Sequence, residues 1–241
     1  MRSAAPYARL AGGIDYLHSY HSSRPRVDWN RCGQAAVATL LDYHGLDPYG
    51  LEKPIYDEKD GHHHWVSGEI IDRIREEFPP DRLFGLFGTT PGQLAKALRS
   101  AGLEVSWAAS WNEGAGRRKI WKEVKRSVEA GLPVIVIMDM GTLGGRPLTA
   151  HWGVVYRIKD SIVYLANTLN ATTVPEARFL RAFKCWFMPP RSHHCAVFVR
   201  PKTVQGPIYI GRRRVAEGKT GYHDRILGSH DEGARQCITG A

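Results

Sequence analysis

A chain of 241 residues with 43% hydrophobic and 24% charged residues has the composition of an ordinary packed protein, which excludes wholesale disorder and a fibrous repeat. The formal charge of +9 suits a partner with phosphate or acidic groups but names none, and with no nucleic-acid motif beside it a nucleic-acid partner is not expected. No stretch nears the roughly 20 apolar residues of a membrane helix, and residues 1–13 lack the apolar core of a secretory signal; a cytoplasmic protein with no membrane span is the default, signal-independent export aside.

Residues 1–27 mix Gly, Pro, Ser, His and Arg without a sustained period and read as an irregular arm. From Cys32, small and apolar residues (Ala35, Ala36, Ala38, Thr39, Leu40, Tyr43) recur at helical spacing until Gly45. Residues 46–66 read as a long loop. Ser67 is placed to cap a second helix through Ile70, Ile71, Ile74 and Phe78, ended by Pro79-Pro80, and Thr90-Pro91 opens a third from Gln93 to Ser100.

A short strand over Leu103–Ala108 and a helix over Arg118–Ala130 follow, broken by Gly131-Leu132-Pro133. Three β-branched runs come next: Val134–Met138, His151–Ile158 and Ile162–Ala166, the last two joined by Lys159-Asp160-Ser161 as a hairpin. The Gly141–Pro147 segment is a glycine-rich connection just ahead of His151. Phe179–Phe187 reads as a helix or an irregular packed segment, Ala196–Val199 as a last strand, and residues 201–241 as a basic, partly flexible extension. Mainly helices followed by mainly strands argues for an α+β fold rather than alternating βαβ units.

The chemistry centres on Cys32, placed where a helix begins, because unpaired backbone N–H groups and the helix dipole favour thiolate there. The plain alternative is a small buried core residue. His151, which opens an apolar strand, has the proton affinity to take a thiol proton near neutral pH and return it to a leaving group. Asn167 ends the next strand, so antiparallel pairing returns it to the side of His151, where an amide can hold the imidazole.

The order Asn30-Arg-Cys-Gly-Gln-Ala-Ala36, Leu40–Gly45, Gly131-Leu-Pro-Val134, His151-Trp-Gly-Val-Val155 and Tyr164-Leu-Ala-Asn167 resembles the papain-like cysteine peptidases of the C39 type across roughly residues 28–200. The resemblance implies a helical lobe carrying the nucleophile helix, packed on an antiparallel β-sheet lobe. It also implies attack on the carbonyl of a peptide or protein substrate by Cys32, with His151 as general base, Asn167 as orienting residue, and no cofactor. Where the family usually carries a glutamine before the cysteine, this chain has Arg26–Asn30, so Asn30 is the nearest amide for a second oxyanion donor.

Other readings keep the same residues or discard them. A deamidase or acyltransferase would use the same three side chains, and a non-catalytic binding module would use none of them as reactants. Metal binding through His62–His64 or His193–Cys195 lacks the CxxC or HExxH spacing of a defined zinc site.

Overall fold

The computed structural model describes residues 31–46, 48–50, 54–57, 62–65, 68–79, 88–145, 149–168, 172–185, 194–201, 209–210 and 213–214. Contacts divide the chain into two units, Met1–Arg200 and Pro201–Ala241.

The first unit opens with helix α1, Cys32–Tyr43, every residue of which is buried from Cys32 to Asp42. Its unusually even burial follows from its sequence, where alanine, glycine and threonine leave little bulk and let the helix sit between other elements. Strands β1 (Pro54–Asp57) and β2 (His62–Trp65) pair antiparallel, with Pro54 opposite Trp65 and Asp57 opposite His62. The sequence reading had a plain loop there; Ile55 and Tyr56 are strand formers, but four residues are too few to establish a period.

Helix α2, Gly68–Glu77, and helix α3, Pro91–Ser100, follow. The second is fixed by a full capping box: Gln93 N–H donates to Thr90 Oγ1 at 3.3 Å and Thr90 N–H donates to Gln93 Oε1 at 2.7 Å. Strand β3, Leu103–Ser110, runs two residues beyond its expected end. Helix α4, Ala115–Glu129, starts one turn earlier than expected because Asn112 Oδ1 accepts from both Gly114 N–H and Ala115 N–H, each at 2.9 Å.

The remaining strands are β4 (Val134–Asp139), β5 (Ala150–Lys159), β6 (Ile162–Ala166), β7 (Thr173–Pro175) and β8 (His194–Pro201), with helix α5, Glu176–Ala182, between the last two. They form a six-stranded sheet with β3 in the order β3-β8-β4-β5-β6-β7. The registered ladders β8–β4, β4–β5, β5–β6 and β6–β7 are all antiparallel. The hairpin turn at Asp160 and Ser161 has φ of 52° and 59°, the left-handed pair that a tight antiparallel turn requires.

Alternation along the strands sorts the core into two layers. Ile135, Ile137, Trp152, Val154 and Val197 pack with α1, α2 and α3, whereas Val134, Val136, Met138, Val155 and Leu165 pack with α4 and α5. The sheet therefore lies between two helical layers, an arrangement of the α+β class with α1 laid across β5. In the second unit the described residues form β9, Tyr209–Ile210, paired antiparallel with β10, Arg213–Arg214.

Candidate active site

Cys32 is the first residue of α1, held in place from three sides. Arg31, the N-cap, forms an ion pair with Asp72 of α2, and its side chain makes no capping hydrogen bond. Gly33 lies against Thr89: a Cβ built there would stand 2.8 Å from both Thr89 Cβ and Oγ1 and 3.1 Å from Leu94 Cδ2, so only glycine lets α1 close on the segment before α3. The third tie is to the sheet. Asn167 Nδ2 donates to the main-chain carbonyl of Cys32 at 3.0 Å and to that of Trp152 at 3.1 Å.

Burial raises the Cys32 thiol above its ordinary value; it is 8% exposed, and desolvation outweighs the hydrogen bonds from backbone N–H groups, that of Trp152 foremost, that favour the thiolate. The nearby Cys185 pushes it further in the same direction. The helix-terminal placement expected to lower this thiol is present, but the first turn is buried rather than open to water, and burial wins. Burial thus favours the thiol form of Cys32 over the thiolate.

His151 sits on β5 opposite Met138 of β4 and is also 8% exposed. Its Nε2 lies 2.5 Å from the main-chain carbonyl of Asn167, and since a carbonyl only accepts, Nε2 carries the proton. The neutral ring then has its lone pair on Nδ1.

Asn167 follows β6 directly, fully buried, with φ of 61°. Left-handed backbone is tolerated by asparagine better than by most residues, and here it accompanies the carbonyl contact to His151. The sequence reading gave the amide the task of holding the imidazole. In the structure the main-chain oxygen makes that contact, and the amide is spent tying α1 to β5. Its own Oδ1 is buried with no hydrogen-bond partner.

Two further buried residues near Cys32 in fold or sequence were not singled out by sequence reasoning. The Thr89 carbonyl accepts from Trp152 Nε1 at 2.9 Å, which fixes the indole between the segment before α3 and β5. Gln34 is 1% exposed, and both polar atoms of its amide are buried and without a hydrogen-bond partner. Its position two residues after the cysteine was the available signal. Asn30 lies outside the described residues.

The Gly141–Pro147 connection is described as far as Gly145. Asp139 anchors it, accepting from Gly141 N–H at 3.0 Å and Thr142 Oγ1 at 2.7 Å. Of the histidine motifs, His62–His64 lie in β2, and His194 Nδ1 bonds the Phe183 carbonyl inside the core; among the described residues no group of three or more His, Cys, Asp or Glu is arranged to hold a metal.

No protein-family description matches the chain, and no curated protein does. Among solved structures it is similar to a double glycine motif protease from an AMS/PCAT transporter, solved in complex with the leader peptide, with 16% identity and a TM-score of 0.44 over 73% of this chain and 89% of that one. It is similar also to the peptidase domain of Streptococcus ComA, with 16% identity and a TM-score of 0.43 over 74% of this chain and 96% of that one. A C39-like peptidase from Bacillus anthracis matches with 14% identity and a TM-score of 0.44 over 71% and 89% of the two chains.

Proposed function

We propose that the chain is a cysteine-dependent hydrolase of a peptide or other amide bond, with residues 28–200 as the catalytic domain and 201–241 as an appended extension. The observation that carries this reading is the hydrogen-bonded set that joins the first residue of α1, the start of β5 and the residue after β6: Asn167 touches His151 through its carbonyl and the Cys32 main chain through its amide. These contacts support reading Cys32 as nucleophile, His151 as base and Asn167 as the residue that orients them, three residues from distant parts of the sequence.

On this reading the Cys32 proton moves to His151 Nδ1 as the sulfur attacks the substrate carbonyl. The resting thiol makes His151 a general base rather than the imidazolium of a standing ion pair. The tetrahedral oxyanion is met by the Cys32 backbone N–H, with Asn30 as the second donor. Collapse of the intermediate breaks the C–N bond, His151 returns its proton to the departing amine, and a thioester joins the acyl group to Cys32. Water, deprotonated by His151, then releases the acid and restores the thiol. Attack by an amine in place of water would give transfer, and a side-chain amide as substrate would give deamidation, with the same residues.

The raised thiol favours a second reading, a non-catalytic binding module in which Cys32 is a packed core residue. Hydrolysis of a mixed peptide pool by the intact chain, followed by mass spectrometry, separates the two. The enzyme reading expects cleavage products that vanish in Cys32→Ser and His151→Ala; a pool left intact by the unaltered chain, with bound peptides recovered, supports the module.

A further inference from the structure

Among the described residues β3 and β7 are the two edges of the six-stranded sheet. They differ in what they offer a further strand. Strand β7 has three residues, the last of them Pro175, which lacks an N–H and is the N-cap of α5, so little ladder is left to extend. Strand β3 has eight, Leu103-Glu-Val-Ser-Trp-Ala-Ala-Ser110, with no proline, lysine or arginine, and Glu104 as its one charge. Natural edges commonly carry a proline or lysine, because a bare row of N–H and C=O groups templates pairing with another chain.

The Val105 carbonyl accepts from Arg99 Nη2 at 2.7 Å in an exposed hydrogen bond, so it points away from β8. Main-chain groups alternate between the two sides of a strand, which puts those of Val105, Trp107 and Ala109 on the open edge. Side chains alternate between the two faces: Leu103, Val105 and Ala109 pack in the layer of α1, α2 and α3, and Ala108 in that of α4 and α5. Trp107 therefore stands on the first face, 42% exposed, in the middle of the open edge.

The order of β3 fits a copy of itself. A twofold axis through Trp107, perpendicular to the sheet, runs a second β3 antiparallel to the first, with Trp107 opposite its copy, Val105 opposite Ala109, Ser106 opposite Ala108 and Glu104 opposite Ser110. The outward main-chain groups then meet as hydrogen-bonded pairs, about six bonds in all. The two indoles become an aromatic cross-strand pair, and Glu104 does not face its own copy.

We propose that the chain forms a twofold dimer through β3, joining two sheets edge to edge about Trp107. An extended peptide of another sequence would use the same main-chain groups, but it would set an arbitrary side chain against Trp107, whereas the twofold supplies a matched one. Because β7 offers no comparable edge, the assembly closes at two copies instead of growing into a fibre. The proposal goes beyond the hydrolase reading and is independent of it.

Sedimentation equilibrium of the full chain from about 1 to 100 μM tests it. The expected mass rises from the monomer's 27.0 kDa to twice that value. Trp107→Lys, which sets two like charges against each other on the axis, raises the dissociation constant about a hundredfold, while Trp107→Phe stays within about threefold of the parent. Circular dichroism of both variants matches the parent, since the side chain is exposed. The register has its own readout. Under mild oxidation Trp107→Cys gives a covalent dimer, because hydrogen-bonded cross-strand partners stand about 5.5 Å apart between Cα atoms, within reach of a disulfide. Glu104→Cys, displaced from its copy by about 20 Å along the edge, does not. A parent that stays at 27.0 kDa throughout overturns the proposal, as does a dimer that Trp107→Lys leaves intact or that fails to cross-link through Trp107→Cys. A monomeric parent that captures extended peptides, with capture lost in Trp107→Lys, also overturns it and assigns the edge to a peptide strand. None of these readouts uses peptide hydrolysis, so failure here and failure of the hydrolase reading are read separately.

Discussion

Asn167 makes the site depend on which of its atoms does which task. Its amide nitrogen donates to two main-chain carbonyls, so Asn167→Asp removes both hydrogen bonds and sets a carboxylate against two carbonyl oxygens. The expected cost is about 3 kcal/mol of stability, measured by urea unfolding, with loss of any hydrolysis. A side chain that instead held the His151 ring would tolerate or welcome the aspartate, so an active, stable Asn167→Asp protein contradicts the assignment. For Cys32, burial predicts slow alkylation whose rate climbs with pH to an apparent pKa above the free-cysteine value of about 8.5, and a midpoint well below it contradicts the resting thiol. The sequence picked out Cys32, His151 and Asn167 because each stands at the start or end of a regular element, which periodicity reveals. It did not reveal which atom of Asn167 faces which neighbour, because that depends on the left-handed turn after β6 and on the seating of α1 against β5. Burial of the first turn, which reverses the expected thiol shift, is likewise a property of packing that no local pattern carries.

At the level of elements, the close approach of α1 to the segment before α3 rests on one missing side chain. Gly33→Ala would push its Cβ into Thr89 Cβ and Leu94, and is expected to destabilise by about 2 kcal/mol in chemical denaturation, where a neutral effect would mean that α1 has room to shift. Loss of the capping box by Thr90→Ala is expected to cost about 1 kcal/mol in the same assay. The long amphipathic elements were legible: α2, α3, α4, β4, β5 and β6 all stand within a turn or two residues of where spacing and breakers set them. The short ones were not. Hairpin β1–β2 and strand β7, of four, four and three residues, are held by pairing partners rather than by a period of their own, and α5 begins at Glu176, ahead of the expected Phe179, directly after Pro175, the last residue of β7 and the N-cap of the helix.

Across the whole first unit, one core lies on each face of the sheet, and the candidate site sits where α1 meets β5 in the first of them. The run of helices before strands forecasts that layer; the second, built from α4 and α5, follows from strand alternation that only the sheet order makes visible. At the far end of α1, burial lowers His44 to about 4, and its Nε2 has no hydrogen-bond partner. Its unfolded value is about 6.5, so the unfolded chain binds the proton first and stability falls as pH drops from that value toward about 4. The expected loss is about 2 kcal/mol between roughly pH 7 and pH 5, removed in His44→Gln, and a parent curve no steeper than the variant's would contradict it.

The most direct test of the account is site-resolved labelling of the intact chain with an electrophilic peptide analogue, read by mass spectrometry beside His151→Ala. The account predicts that Cys32 reacts ahead of Cys185, Cys195 and Cys237, and that its labelling slows by about a hundredfold or more without the His151 base. Labelling that spares Cys32, or that proceeds equally fast without His151, would contradict the claim that this cysteine is a nucleophile and leave it a residue of the core.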